Sequence, residues 1–138
     1  MPDSAHIIFV DDDEEDHLII LEYFRDLGKE KQIRFLMHGQ QVLDHLETIP
    51  SESPLPRLIV LDLNMPILDG RETLSRLKRH PRFRAIPVIV LSTSENEAEK
   101  QKCLSLGAEA YVVKRATYAD GLRMVDTFTR YLDMHGTT

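Results

Sequence analysis

Three short stretches of this chain are apolar without interruption: Ile7-Ile8-Phe9-Val10, Leu58-Ile59-Val60-Leu61 and Val88-Ile89-Val90-Leu91. A strand with one wet face alternates apolar with polar residues. Unbroken β-branched and aliphatic runs therefore predict strands covered on both faces, the condition of a parallel sheet. Two further runs, Ile33 to Met37 and Ala110-Tyr111-Val112-Val113, complete a set of five. Parallel neighbours need crossovers long enough to hold a helix, and the intervening segments carry that signal. Leu18, Leu21, Phe24 and Leu27 recur at helical spacing, with Gly28 placed to stop the helix. Val42, Leu43 and Leu46 do the same before Pro50, and Leu74 and Leu77 before Pro81. Residues 51–57, with Pro54 and Pro56, read as a loop. Ser94 with Glu97 reads as a capping box for a helix through Cys103, Leu104 and Leu106 that closes at Gly107. Leu122, Val125 and Leu132 mark a last helix. Strand and helix repeated five times predict an α/β fold with helices on both faces of the sheet.

The 138 residues suffice for one domain with a real core, and 42% hydrophobic with 29% charged residues excludes a largely disordered chain. No apolar run approaches the ~20 residues of a membrane span, and the N-terminus lacks a signal-peptide pattern. A single cysteine, Cys103, allows no internal disulfide, so a cytoplasmic location is expected. The net charge of −6 is one local feature: six acids run from Asp11 to Asp16, and without them the chain is neutral. A general nucleic-acid-binding surface is not expected. Residues 71–84 are basic, with Arg71, Arg76, Lys78, Arg79, Arg82 and Arg84 against Glu72. With Phe83 as their one aromatic, they predict a solvated helix face or a contact zone for an acidic partner rather than a stacking platform.

The chemistry lies at the ends of the runs: Asp11-Asp12 after the first, Asp62 after the third, Ser92-Thr93 after the fourth and Lys114 after the fifth. Ligands of open parallel sheets bind outside the carboxyl ends of the strands, so these residues share one rim. Any one of them is an ordinary polar strand end; four with complementary charge are a site. Asp13, Glu14, Glu15 and Asp16, by contrast, read as acids favourably placed at a helix N-terminus. Two carboxylates ~4 Å apart repel by about 4 kcal/mol at an effective dielectric of ~20, so Asp11, Asp12 and Asp62 converge cheaply only if a cation joins them or one stays protonated. Lys114 supplies one charge and a hard divalent ion, best magnesium, the rest. Calcium is disfavoured by the missing sixth-position glycine of an EF-hand, and zinc by the lack of Cys or His at ligand spacing. A carboxylate beside magnesium, a hydroxyl and a lysine is equipment for phosphoryl transfer through an aspartyl phosphate. These considerations leave open which aspartate is the nucleophile. No His or Asp stands at triad spacing from Ser92, which disfavours a serine hydrolase.

Val10-Asp11-Asp12, Leu61-Asp62-Leu63-Asn64-Met65-Pro66 through Asp69-Gly70, Leu91-Ser92-Thr93 and Val113-Lys114 together resemble the receiver domain of two-component response regulators. The likeness runs in order from about Ile7 to Leu132. It implies a flavodoxin-like, doubly wound five-stranded parallel sheet of order 2-1-3-4-5 with five helices. It implies Asp62 as phosphoacceptor and metal ligand, Asp12 as direct ligand of Mg2+, Asp11 acting through a metal-bound water, and Asn64 giving its backbone carbonyl. Ser92 matches the switch hydroxyl, Lys114 the partner of a phosphoryl oxygen, and Tyr111 the aromatic that turns inward with the hydroxyl. One departure is Lys114-Arg115 where such domains usually have Lys-Pro with a cis peptide. A non-proline cis bond costs ~2.5–4 kcal/mol against roughly 0.5–1 for X-Pro. A trans bond with a rearranged loop, or a strained cis bond held by phosphate-site contacts, is expected.

At finer grain, Leu61 to Pro66 and Ile86-Pro-Val-Ile-Val-Leu-Ser-Thr-Ser94 resemble stand-alone regulators partnered with bacterial phytochrome histidine kinases. The expectation is therefore a single receiver domain over 1–138 with no effector domain. Such a switch would take a phosphoryl group from a sensor histidine kinase and signal through protein contacts, with no membrane or nucleic-acid partner. It would be no enzyme beyond promoting its own phosphoryl transfer and dephosphorylation. Two alternatives belong beside it: a magnesium-dependent aspartyl-phosphate phosphatase or phosphotransferase, and a phosphorelay carrier. The first generally needs a second acid two residues after the nucleophile, where this chain has Asn64. A second apolar stripe on the last helix, Met124, Phe128 and Tyr131, either merges with the first into one broad buried face or marks a partner contact, with a homodimer through that helix and its neighbours as the functional expectation.

Overall fold

The computed structural model describes residues 6–63, 69–114 and 118–134, with 118–120 and 133–134 described by backbone alone. Five strands, β1 (Ile7–Val10), β2 (Ile33–Leu36), β3 (Leu58–Asp62), β4 (Val88–Ser92) and β5 (Ala110–Val113), form one sheet. All pair in parallel, in the order β2-β1-β3-β4-β5. Between and after them lie α1 (Glu14–Asp26), α2 (Gly39–Glu47), α3 (Gly70–Arg79), α4 (Glu97–Ser105) and α5 (Tyr118–Met134). The three unbroken apolar runs are the three interior strands, and every residue in them is buried. The two less continuous runs are the edge strands and remain partly exposed.

Successive strand residues point to opposite faces, which splits the core in two. Ile8, Val10, Ile59, Leu61, Val88 and Val90 pack with Val42 and Leu46 of α2, Leu74 and Leu77 of α3 and Cys103 of α4. On the other face Ile7, Phe9, Leu58, Val60, Ile89 and Leu91 pack with Ile20, Tyr23 and Phe24 of α1 and Val125, Phe128 and Leu132 of α5.

Two sequence expectations are corrected here. The buried face of α1 is Ile20, Tyr23 and Phe24, whereas Leu18 and Leu27 are 64% and 52% exposed. Leucine spacing finds the helix but not its face, because a tyrosine and an isoleucine complete the stripe. The cap of α4 is Asn96, which accepts from the Glu99 N–H, and Ser94 instead accepts from the Asn96 N–H. On α5, Phe128 is fully buried beside Val125 and Leu132, with Met124 and Tyr131 packed against the same cluster. Met124, Phe128 and Tyr131 thus share the core face of Val125 and Leu132, whereas Leu122 is 45% exposed. Gly28, at φ +70°, closes α1 as expected.

Two basic residues of 71–84 act as staples, while Arg76 and Arg79 pair with Glu72 on an exposed face of α3. Arg82 donates to the carbonyls of Ile49, Pro50 and Ser53, fastening the proline-rich loop. Lys78 donates to those of Arg84 and Ile86. No described helix is long and apolar enough to cross a membrane.

Candidate functional site: an acidic cluster around one lysine

Sheet register builds the site. Val10 lies beside Leu61, Asp62 beside Leu91, and Ser92 beside Val113. The next residue of each strand therefore emerges on one edge. The carboxylates of Asp11, Asp12 and Asp62 come together there, one oxygen from each lying within 4.8 Å of the others. Asp11 is wholly buried, Asp62 is 6% exposed and Asp12 faces solvent. The site is thus walled on two sides and open on the third.

Lys114 enters from the end of β5, whose backbone is tied to β4 by the Lys114 N–H donating to the Ser92 carbonyl. Its Nζ lies 2.8 Å from Asp11 Oδ2, 3.0 Å from Asp16 Oδ2 and 3.3 Å from Asp62 Oδ2. The contact with Asp16 overturns the expectation of a mere helix-start charge at that position. From the first turn of α1 Asp16 reaches back over the end of β1, a contact that no spacing in the sequence announces. Glu14 and Glu15 remain exposed and Asp13 caps α1, accepting from the Glu15 N–H, as expected.

Among the described residues one ammonium stands among four carboxylates and leaves negative charge uncompensated. Burial, then the hydrogen bond to Asp16, push the Asp11 carboxyl up to about 7 against the pull of Lys114 and the Asp13 N–H. Asp16 is held below its ordinary value: burial opposes this, but its bonds to Asp11 and Lys114 prevail. Burial works against the Lys114 ammonium, yet Asp11, Asp16 and Asp62 outweigh it and hold the lysine above its usual range. An all-oxygen, acid-rich cluster with one open side fits a hard divalent cation. Asn64, expected to add its backbone carbonyl, lies outside the described residues, as does the Lys114–Arg115 peptide with its cis or trans state.

Two backbone features hold Asp62 in place. The Leu63 N–H donates to the Leu91 carbonyl, and the Gly70 N–H to the Leu63 carbonyl, docking the start of α3 on the residue after Asp62. A Cβ on Gly70 would lie 2.5 Å from the Asp62 carbonyl oxygen and 2.7 Å from Leu63 Cα, so only glycine allows this approach.

Ser92 is buried at the same edge. Its Oγ donates to Glu99 Oε1 at 3.2 Å and accepts from the Ser94 N–H at 3.0 Å. The Tyr111 hydroxyl is shared between the Ser94 carbonyl and Glu99 Oε1, each at 2.9 Å. Sequence reasoning singles out Ser92 and Tyr111 but misses Glu99, which joins them. Its spacing of three from the Asn96 cap is the one available sign.

Comparison with known proteins agrees with this geometry. The family model for the response regulator receiver domain matches residues 7–126. The chain is 35% identical over 130 residues to the probable methanogenesis regulatory protein FilR2 of Methanothrix harundinacea, covering 94% of this chain and 84% of that one. The response regulator Rcp1 of Synechocystis is 33% identical over 121 residues, covering 86% and 82%. A crystal structure of Mn(2+)-bound Rcp1 superposes with TM-score 0.76 at 31% identity, covering 91% and 92% of the two chains. That of the phosphorylated cyanobacterial phytochrome response regulator RcpA gives 0.80 at 28%, covering 97% of each. The sheet order, the acidic edge with its lysine and a family match over nearly the whole chain converge: the protein belongs to the response regulator receiver domain family, the phosphorylation-activated regulators of signalling.

Proposed function

We propose that Asp62 is the phosphoryl acceptor, that magnesium is the ion held by Asp11, Asp12 and Asp62, and that the donor is a sensor histidine kinase of the phytochrome type. The observation that carries this reading is the ammonium of Lys114 seated 2.8–3.3 Å from Asp11, Asp16 and Asp62. It neutralises only part of their charge and leaves Asp12 facing solvent at the open side.

The chemistry follows from those positions. An Asp62 carboxylate oxygen attacks the phosphorus of a phosphohistidine, the P–N bond breaks, and the leaving imidazole takes up a proton. An acyl phosphate results. Lys114 exchanges a carboxylate contact for a phosphoryl oxygen, and the Ser92 hydroxyl turns to donate to another. When bound, magnesium supplies charge neutralisation for the transferred group. Asp12 would hold the ion directly from the solvent side, and Asp11 would hold it through a water. Tyr111 follows Ser92 as the aromatic member of the switch, and the altered surface carries the signal to a protein partner. A phytochrome-type kinase as donor is supported by similarity to Rcp1 and to the phytochrome regulator RcpA, and by that to the bacteriophytochrome response regulator RtBRR, 29% identical with TM-score 0.71.

The test is incorporation from a small acyl phosphate with magnesium, read as intact mass. One base-labile phosphoryl group is expected on the wild type and none on Asp62→Asn. Retention of the group by Asp62→Asn refutes the assignment, and sustained release of phosphate from many substrates would favour a phosphatase instead.

A further inference from the structure

The Glu99 carboxylate lies where the switch hydroxyl and the switch aromatic meet. Its Oε1 accepts from both Ser92 Oγ and the Tyr111 hydroxyl, and its Oε2 accepts from Arg71 of α3 at 2.7 Å. One side chain thereby joins β4, β5, α3 and α4. Its location three residues past the Asn96 cap suits a capping box, in which it would turn back to the Asn96 N–H. That N–H is already taken by Ser94 Oγ. The carboxylate is therefore free to face the switch pair, and the Tyr111 bond, with those to Arg71 and Ser92, holds it below its usual carboxylate range against burial.

We propose that Glu99 is a positioning residue that holds, as a latch, the Ser92 hydroxyl proton, with the Tyr111 hydroxyl beside it, so that a phosphoryl group on Asp62 must take the Ser92 proton away from it. The inference rests on the reading of Asp62 and Ser92 given above. Ser92 has one hydroxyl proton. It donates to Glu99 or to a phosphoryl oxygen, not to both. Transfer of that donor removes one of the two hydrogen bonds meeting on Oε1, and the Tyr111 bond to the same atom must readjust. Because Glu99 is also tied to Arg71, the readjustment is delivered to α3 and α4 as well as to the aromatic. A ligand shifts an equilibrium only through contacts that differ between two states. The Ser92–Glu99 bond is such a contact, and it weights the arrangement in which Ser92 donates to Glu99 rather than to a phosphoryl oxygen. An ordinary surface ion pair between Arg71 and Glu99 would contribute little and would not touch the switch.

The experiment is titration of the full chain with beryllium fluoride in magnesium, a phosphoryl analogue, following the Tyr111 ring by NMR in wild type, Glu99→Gln and Glu99→Ala. Neutral hydrogen bonds are roughly half as strong as charge-assisted ones. On that basis the half-saturating concentration is expected to fall about threefold in Glu99→Gln and about tenfold in Glu99→Ala. The Tyr111 resonances of the ligand-free variants should move toward those of the liganded wild type. In a Ser92→Ala background the gain should vanish, because the latch acts through that hydroxyl. An unchanged or higher requirement for beryllium fluoride in the isosteric Glu99→Gln overturns the latch, and a fall in melting temperature alone marks Glu99 as a structural ion-pair partner. Failure of the wild type to bind beryllium fluoride overturns the Asp62 reading itself, and the latch with it.

Discussion

Replacing Lys114 with methionine removes the cation that, among the described residues, pairs with the acidic cluster, while keeping an unbranched stem. In the wild type its Nζ compensates Asp11, which is fully buried, and Asp62 and Asp16, which are 8% and 33% exposed at the side chain. Removing one partner of a buried ion pair costs about 3–5 kcal/mol because the other charge is left uncompensated. Lys114 is 21% exposed and Asp16 more so, and solvent screening places the expected loss near the low end, roughly 3 kcal/mol in metal-free buffer.

That loss must depend on pH. Asp11 titrates near 7 in the folded chain, above its ordinary 3.8. The folded state therefore holds that proton longer than the unfolded one. Its stabilising effect is complete below about 4 and is lost as pH rises to about 7. Asp16, held low, acts in the opposite sense, and its contribution is lost only as pH falls through its depressed value. Urea unfolding with a chelator should thus show Lys114→Met losing roughly 3 kcal/mol at about pH 8 but roughly 1 kcal/mol at about pH 5.5, where Asp11 carries a proton. Saturating magnesium at the higher pH should restore much of the difference by mass action. An equal loss at both pH values, indifferent to magnesium, would refute the charge-balance account and reduce Lys114 to a packing residue.

Gly70→Ala forces a Cβ against the backbone of Asp62 and Leu63, neither of which can give way like a flexible side chain. It should cost about 1–3 kcal/mol in urea unfolding and slow phosphoryl incorporation more than an equally destabilising core change. Arg82→Ala strips three carbonyls of their donor and should destabilise by about 1–3 kcal/mol, with phosphorylation rates unaltered once the chain is folded. Asp12→Ala removes an exposed carboxylate; calorimetry should find magnesium affinity reduced at least about tenfold while metal-free stability stays within about 0.5 kcal/mol.

The sequence by itself determined the architecture and the chemistry of the rim. Unbroken apolar runs at Ile7, Leu58 and Val88 admit only strands covered on both faces. Once such strands are parallel, the residues ending them must share an edge, so Asp11, Asp12, Asp62, Ser92 and Lys114 are readable from the chain alone. Periodicity locates the helices but mistakes the face of α1, because the side chains that fill the space beside β1 include Tyr23 as well as aliphatics. It also leaves open whether the Phe128 stripe is surplus or core, and α5 spends it on the core. Only tertiary structure decided the role of Asp16 and of Glu99. Each belongs to a helix on which its charge has a sufficient local explanation, a favourable first turn in one case and a cap-adjacent acid in the other. Local patterns record what a residue does for its own element. The reach of Asp16 to Lys114 across 98 residues of chain, and of Glu99 to Tyr111 across 12, depends on how elements stack, and stacking is a property of the packed sheet rather than of any window of sequence.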